Sequence, residues 1–182
     1  MGNGADKENI TFRLELETLS KLRNEADEKG VSVNSIAQSI FAAHYQWAAS
    51  ATQAGMIPVH KMVFLMMLDK LTEDDIEEIG RLFADVRVKD MTLILKRDYS
   101  LSAFLDVLGL WMKFSGIAFQ KSISHDTHTY TISHEMGAKW SLLLSTMLKA
   151  VFQKMGVSQT TFDRTDNLVI FRIPLVELRA KQ

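Results

Sequence analysis

The sequence predicts an α+β protein in two parts, and three observations carry that expectation. Residues 9–14 alternate polar and apolar, and two segments of helical periodicity follow with Gly30 between them. Beyond Asp90, short β-patterned runs and longer helical runs alternate in the order βαββαβ. Between the two parts, residues 48–89 hold a weakly patterned linker and two connecting helices. The expected organisation is a flexible arm at 1–8, a small module at 9–47, linker and helices at 48–89, an α+β domain at 90–174 and a tail at 175–182.

The first module is the more informative. Period two in Asn9-Ile10-Thr11-Phe12-Arg13-Leu14 puts Ile10, Phe12 and Leu14 on one face and Asn9, Thr11 and Arg13 on the other. A strand this short, with no partner strand nearby in sequence, cannot stand alone. Leu16, Leu19, Leu22 and Ala26 then recur at helical spacing, and Gly30 is suited to end that helix. Ser32 is the expected N-cap of a second helix whose apolar side is Ile36, Ala37, Ile40, Phe41 and Ala43.

The run Ile10-Thr11-Phe12-Arg13-Leu14, then Leu19 and Leu22, then Gly30-Val31-Ser32-Val33-Asn34-Ser35-Ile36, resembles the ribbon-helix-helix family of DNA-binding proteins, the Arc/MetJ/CopG type. The resemblance implies that two chains pair their strands into an antiparallel ribbon that enters the major groove. It implies base contacts from Asn9, Thr11 and Arg13. It also implies a phosphate clamp from the backbone amides of Val33 and Asn34, helped by Ser32. The chemistry suits these roles. Arginine donates two hydrogen bonds to guanine, asparagine pairs with adenine, and threonine offers a hydroxyl and a methyl. A helix N-terminus presents unpaired amides and partial positive charge to a phosphate. Without the helices that follow, the same three residues would read as the solvent face of an edge strand.

Residues 1–47 hold five basic side chains (Lys7, Arg13, Lys21, Arg23, Lys29) against seven acidic ones, a balance of about −2. Such a module makes few phosphate contacts and has a shallow salt dependence. Val33 stands where family members often carry a polar or basic residue, and Glu15 replaces the commoner Ser or Asp cap. Dimerisation without DNA binding is the alternative reading.

The whole chain has 182 residues and a formal net charge of −1, so neither a general nucleic-acid coat nor a binder of acidic surfaces is implied. There is no cysteine, which excludes disulfides, thiolate metal sites and thiol catalysis. The N-terminus lacks the pattern of a signal peptide, and the strongest apolar run, residues 62–68, is too short to cross a bilayer. A soluble cytoplasmic protein without membrane contact is expected.

In the connecting region, residues 59–70 read as a methionine-rich helix, apolar nearly all round and therefore expected to be buried, between subunits or within one. Thr72 is expected to cap the next helix, with Glu73, Asp74 and Asp75 in its first turn; that acidic cluster reads as a helix start before it reads as a cation site. In the second domain, residues 91–96 read as a strand and Ser100 or Ser102 caps a helix ended by Gly116. Residues 117–124 and 127–134 read as a hairpin turning at His125-Asp126, residues 136–154 as a long helix, and residues 167–173 as a last strand stopped by Pro174.

This order is the ferredoxin-like one, a four-stranded antiparallel sheet with two helices on one face. Joined to a ribbon-helix-helix module, it is similar in architecture to the nickel-responsive regulators of that family, whose second domain binds the effector and oligomerises. Five histidines test the metal idea: His44, His60, His125, His128 and His134. His128 and His134 stand roughly 20 Å apart along a strand and cannot share an ion. His125 and His128 flank the hairpin tip and are the weak candidates, with exposed turn histidines as the plainer reading. No metal is expected.

No phosphate loop, nucleophile elbow or paired-carboxylate cleft is present, so neither catalysis nor a cofactor is expected. Asp163, Arg164, Asp166 and Asn167 read as a turn. The last strand is apolar on both faces and lies at an edge of the expected ferredoxin-like sheet, so its outer face calls for cover by another subunit or a ligand. Gln120, Ser122, Thr129, Thr131 and Ser133 could line a wet groove. The expectation is therefore a transcriptional regulator, dimeric or tetrameric, that reads double-stranded DNA through the first module. Its second domain oligomerises or senses a small-molecule effector.

Overall fold

Capping residues set most of the element boundaries, and they are legible in order along the chain. The computed structural model describes residues 8–180, with side chains to Leu178; most of the expected arm, residues 1–7, lies outside the described residues. The chain divides into two compact units that meet between His44 and Tyr45.

In the first unit, α1 (Leu16–Lys29) ends at Gly30, whose φ of 63° is the left-handed conformation that glycine adopts without strain. The Val31 N–H donates to the Ala26 carbonyl at 2.9 Å and the Gly30 N–H to that of Asp27 at 3.2 Å, the paired bonds of a Schellman ending. Ser32 caps α2 (Val33–Ala43) by accepting from the Ser35 N–H. Residues 8–15 form no ladder with any other described part of the chain.

A π-helical turn, His44–Ala48, runs across the boundary, and the second unit continues through α3 (Ala49–Gln53). Trp47 stacks on Phe114 at 5.6 Å. Then come α4 (Lys61–Asp69) and α5 (Glu73–Val86). The Thr72 hydroxyl accepts from the Asp75 N–H, and the Asp75 carboxylate accepts from the Thr72 N–H, a complete capping box. The carboxylate also accepts from the Thr72 hydroxyl; these bonds hold its pKa below the ordinary value, and the acidic cluster is thereby used as a helix start.

Residues 91–96, expected as a strand, belong instead to helix α6 (Val88–Lys96). The buried residues Val88, Met91 and Thr92 fall at i, i+3 and i+4, and the Thr92 hydroxyl donates to the Val88 carbonyl. A β-branched run can read as a strand, but the burial period here is helical. Helix α7 (Leu101–Phe114), capped by Ser100, leads into the hairpin β1 (Ala118–Ser124) and β2 (Thr127–Ser133). Helix α8 (Gly137–Lys154) follows, then a second hairpin of β3 (Thr161–Thr165) and β4 (Leu168–Pro174). The segment expected as a tail begins with α9 (Leu175–Ala180).

The second unit is thus α+β, but its order is not the ferredoxin-like one. Among the described residues no strand precedes α7, and Asp163 and Arg164 lie in β3 rather than in a turn. The sheet runs β1-β2-β4-β3 with every pair antiparallel. Strand β4 is therefore interior, and its second apolar face is half-buried beside Thr129 and Thr131 rather than exposed along an edge. The architectural analogy with metal-responsive regulators loses its basis with that order.

The register places Tyr130, Phe171 and Phe162 side by side across three strands on the inner face. Tyr130 stacks on Phe171 at 4.8 Å, and Phe152 of α8 meets Phe171 at 5.3 Å. Phe104 of α7 meets Phe152 edge-on at 6.0 Å. Around these rings the core collects Leu108 and Met112 of α7, Leu148 and Val151 of α8, and Ile132, Val169 and Ile173 of the sheet. Burial, and next the charge of Asp106, pushes the Tyr130 phenol up to about 12.

Helix α5 lies against α8 at Gly80. A Cβ there would stand 3.1 Å from the Leu143 carbonyl oxygen and 3.3 Å from the Met147 nitrogen, both backbone atoms. Gly80→Ala gains about 1 kcal/mol of helix propensity. It also forces the helices apart at a cost of about 1–3 kcal/mol. We expect the loss to win, with a lowered urea midpoint; an increased midpoint would show that α5 and α8 do not meet so closely.

Candidate nucleic-acid interface

The first unit has almost no interior. Of the described residues through His44, only Ala26 and Ile36 are buried. The strand-patterned segment keeps its alternation, yet both of its faces are open. Ile10, Phe12 and Leu14 are 75%, 51% and 49% exposed, and Asn9, Thr11 and Arg13 are exposed beside them. Phe12 approaches Phe41 of α2 at 5.4 Å, so the apolar side of the segment is directed to the helices. Val31, Ile40 and Phe41 remain exposed as well. Two helices and an unpaired segment with so little buried surface do not make a stable domain alone.

The charges are arranged locally. Lys21 pairs with Glu17 at 2.6 Å and Lys29 with Glu25 at 2.5 Å, each one helical turn apart on α1. These exposed pairs add little stability. They do place a carboxylate beside each lysine, which reduces its attraction for a phosphate. Arg13 has no carboxylate partner among the described residues, and it shares the open face with Asn9 and Thr11. At the start of α2, the Ser32 hydroxyl takes the Ser35 amide and bonds the Ser35 hydroxyl at 2.9 Å. The amides of Val33 and Asn34 stay at the open end of the helix, where no intrahelical acceptor exists.

The remaining candidates separate. His125, at φ 49°, occupies the β1–β2 turn and bonds the Ser124 hydroxyl. His128 lies on the inner face of β2, half-buried, with Nδ1 shielded and unpartnered; burial and the charge of Lys121 lower its pKa. It is not an exposed turn histidine. No three His, Asp or Glu side chains are grouped to hold a metal ion among the described residues. His60 caps α4 by accepting from the Met62 amide.

His134 has a structural place that sequence pattern does not announce. Its Nδ1 accepts from the Met136 N–H, so the ring proton sits on Nε2 and is donated to the Ser141 hydroxyl at 2.9 Å. Ser141 donates in turn to the Asp166 carbonyl, and Asn167 accepts from Gly137. The ring also packs edge-on against Trp140 at 4.3 Å. This chain of bonds ties the end of β2, the start of α8 and the β3–β4 turn.

Within a single copy of the chain, the methionine-rich helix α4 is not buried. Leu68 is buried and Phe64 packs on the core, but Met62, Val63, Met66 and Met67 are each half-exposed or more. A separate cleft of about 490 Å³ lies between the end of α8 and β3. Nothing in the sequence marks it, because Asp163 and Arg164 read as part of a turn and no strand is expected there. Among the described residues, no helix is long and apolar enough to cross a membrane. Comparison of the chain with protein-family models and with curated proteins finds no match.

His134 generates a pH dependence. Burial first, and the nearby Lys61 second, lower its pKa, so the folded state resists a proton that the unfolded chain accepts. The stability it contributes is complete above its ordinary value of roughly 6.5 and falls as pH drops below that, until the depressed folded value is passed. His128 acts in the same direction. Urea midpoints measured from about pH 7.5 down to pH 5 should therefore decline. In His134→Asn the slope should be shallower on a lower baseline. An unchanged slope would mean that His134 is not held neutral.

Proposed function

We propose that the chain is a sequence-specific DNA-binding transcriptional regulator. Two copies pair their residues 9–14 into an antiparallel ribbon-helix-helix dimer whose outer face, Asn9, Thr11 and Arg13, reads base edges in the major groove. The amides of Val33 and Asn34, with Ser32, hold the flanking phosphate. The second unit oligomerises or senses a ligand, and joining two ribbons through it would raise the effective concentration of one half-site contact once the other is made.

One observation carries this reading: the first unit leaves Ile10, Phe12 and Leu14 open on a segment that has no ladder partner among the described residues. A second copy of the same segment would satisfy the backbone groups and cover the apolar face at once. Ribbon insertion into the major groove is an established docking mode. The resemblance of residues 9–47 to the family points the same way. The alternative is a protein-interaction module that uses this fold only to dimerise; the carboxylates beside Lys21 and Lys29 and the exposed methionines of α4 favour it.

Selection of random duplexes at two salt concentrations, followed by sequencing, separates the two. The regulator reading expects an enriched palindromic or direct-repeat site and a shallow salt slope. Arg13→Ala should then lose about 1–3 kcal/mol of discrimination at one base pair. No enrichment at low salt would leave dimerisation as the role of the first unit.

A further inference from the structure

We propose that the cleft between α8 and β3 is a binding site for a small carboxylate with an apolar body. The inference goes beyond the DNA reading and does not depend on it. The cleft holds about 490 Å³, within the range of small-molecule sites. Lys149, Phe152 and Gln153 project into it from one face of α8, at the i, i+3 and i+4 spacing that groups side chains on a helix. Phe162 of β3, with Val157 and Thr160 of the preceding loop, forms the opposite wall.

Two polar groups in this site, one shielded and one exposed, have no hydrogen-bond or ion-pair partner among the described residues. The Thr160 hydroxyl oxygen is shielded from solvent and has no hydrogen bond among the described residues. A buried hydroxyl left this way is costly, and native structures rarely leave one unexplained. The second is Lys149. Six described lysines have a carboxylate within ion-pair range, while Lys70, Lys89, Lys113 and Lys121 have none, so what distinguishes Lys149 is its place in the cleft. Lys149 has none among the described residues; its ammonium stands 5.4 Å over the Phe162 ring instead. A cation above an aromatic wall, an unpaired donor and the rings of Phe152 and Phe162 are complementary to an anionic head on an apolar body. A neutral apolar ligand would leave both polar groups unanswered. The loop is held in place from the other side, since the Ser158 amide and hydroxyl both donate to Glu177 of α9.

The test uses the full chain without DNA, so its outcome is independent of the DNA-binding experiment. Benzoate, phenylacetate and octanoate are titrated beside their uncharged amides, by calorimetry and by methyl NMR of Val157 and Thr160. At least one carboxylate should bind, shift both methyls and exceed its amide in affinity by roughly tenfold or more, the effect of one charge-assisted hydrogen bond. Lys149→Gln should erase that difference while leaving the amide's affinity unchanged. Thr160→Val should weaken the carboxylate without lowering the melting temperature of the free protein, because no internal bond is lost. A melting temperature lowered by Thr160→Val would show that the hydroxyl is structural. Equal binding of acid and amide, or no shift at Val157 and Thr160 with any probe, would overturn the proposal.

Discussion

Phe171 is the residue on which the second unit closes. It is fully buried at the centre of β4, stacked on Tyr130 of β2 on one side and beside Phe162 of β3 on the other. Phe152 of α8 reaches it from the helical layer, and Phe104 of α7 reaches Phe152. One aromatic chain therefore spans both hairpins and both covering helices. Aromatic pairs add about 0.5–1.5 kcal/mol each beyond their area burial. The same chain positions Phe162 and Phe152 as walls of the cleft beneath Lys149, so the sheet register and the proposed ligand site rest on one set of contacts.

The first unit has no equivalent of Phe171. Its apolar residues are spaced correctly for a core, but Phe12 and Phe41 touch each other and still face solvent. Hydrophobic burial is what offsets the entropy of ordering a chain. The unit orders two capped helices while exposing Ile10, Phe12, Leu14, Ile40 and Phe41, apolar surface that the proposed second copy would cover. The same argument applies with less force to α4, whose exposed methionines add apolar surface that a second chain could cover.

Local chemistry was legible where one residue determines the outcome. Gly30, Ser32, Thr72, Ser100 and the His125-Asp126 turn each act through their own backbone preference or side-chain bond, and each lies where its type predicts. Period was less reliable in short apolar runs. Met91-Thr92-Leu93-Ile94-Leu95 has the composition of a strand but is helical, because Val88, Met91 and Thr92 supply the face that packs. Strand β3 was hidden by its polar sequence, Thr-Phe-Asp-Arg-Thr; only Phe162 faces inward to pack, and Asp163 instead pairs across the sheet with Arg172 at 2.5 Å. Missing it assigned β4 to an edge and suggested the wrong sheet order. For the proposed base readers, the alternation gave Asn9, Thr11 and Arg13 a common face, but not the exposure of Ile10, Phe12 and Leu14 opposite, which the proposed pairing with a second chain would cover.

The central claim is that two copies of residues 9–14 pair antiparallel. The chain has no cysteine, so single cysteines introduced at positions 9, 11 and 13 can be spin-labelled without background. In an antiparallel ribbon, the distance between equivalent labels passes through a minimum at the two-fold axis. It rises by about 7 Å for each residue away from it, twice the strand rise. Pulsed dipolar spectroscopy on the full chain should give that series of distances. A constant short distance at all three positions would mean parallel pairing. The absence of any defined distance would contradict the ribbon, and the DNA-reading face proposed with it.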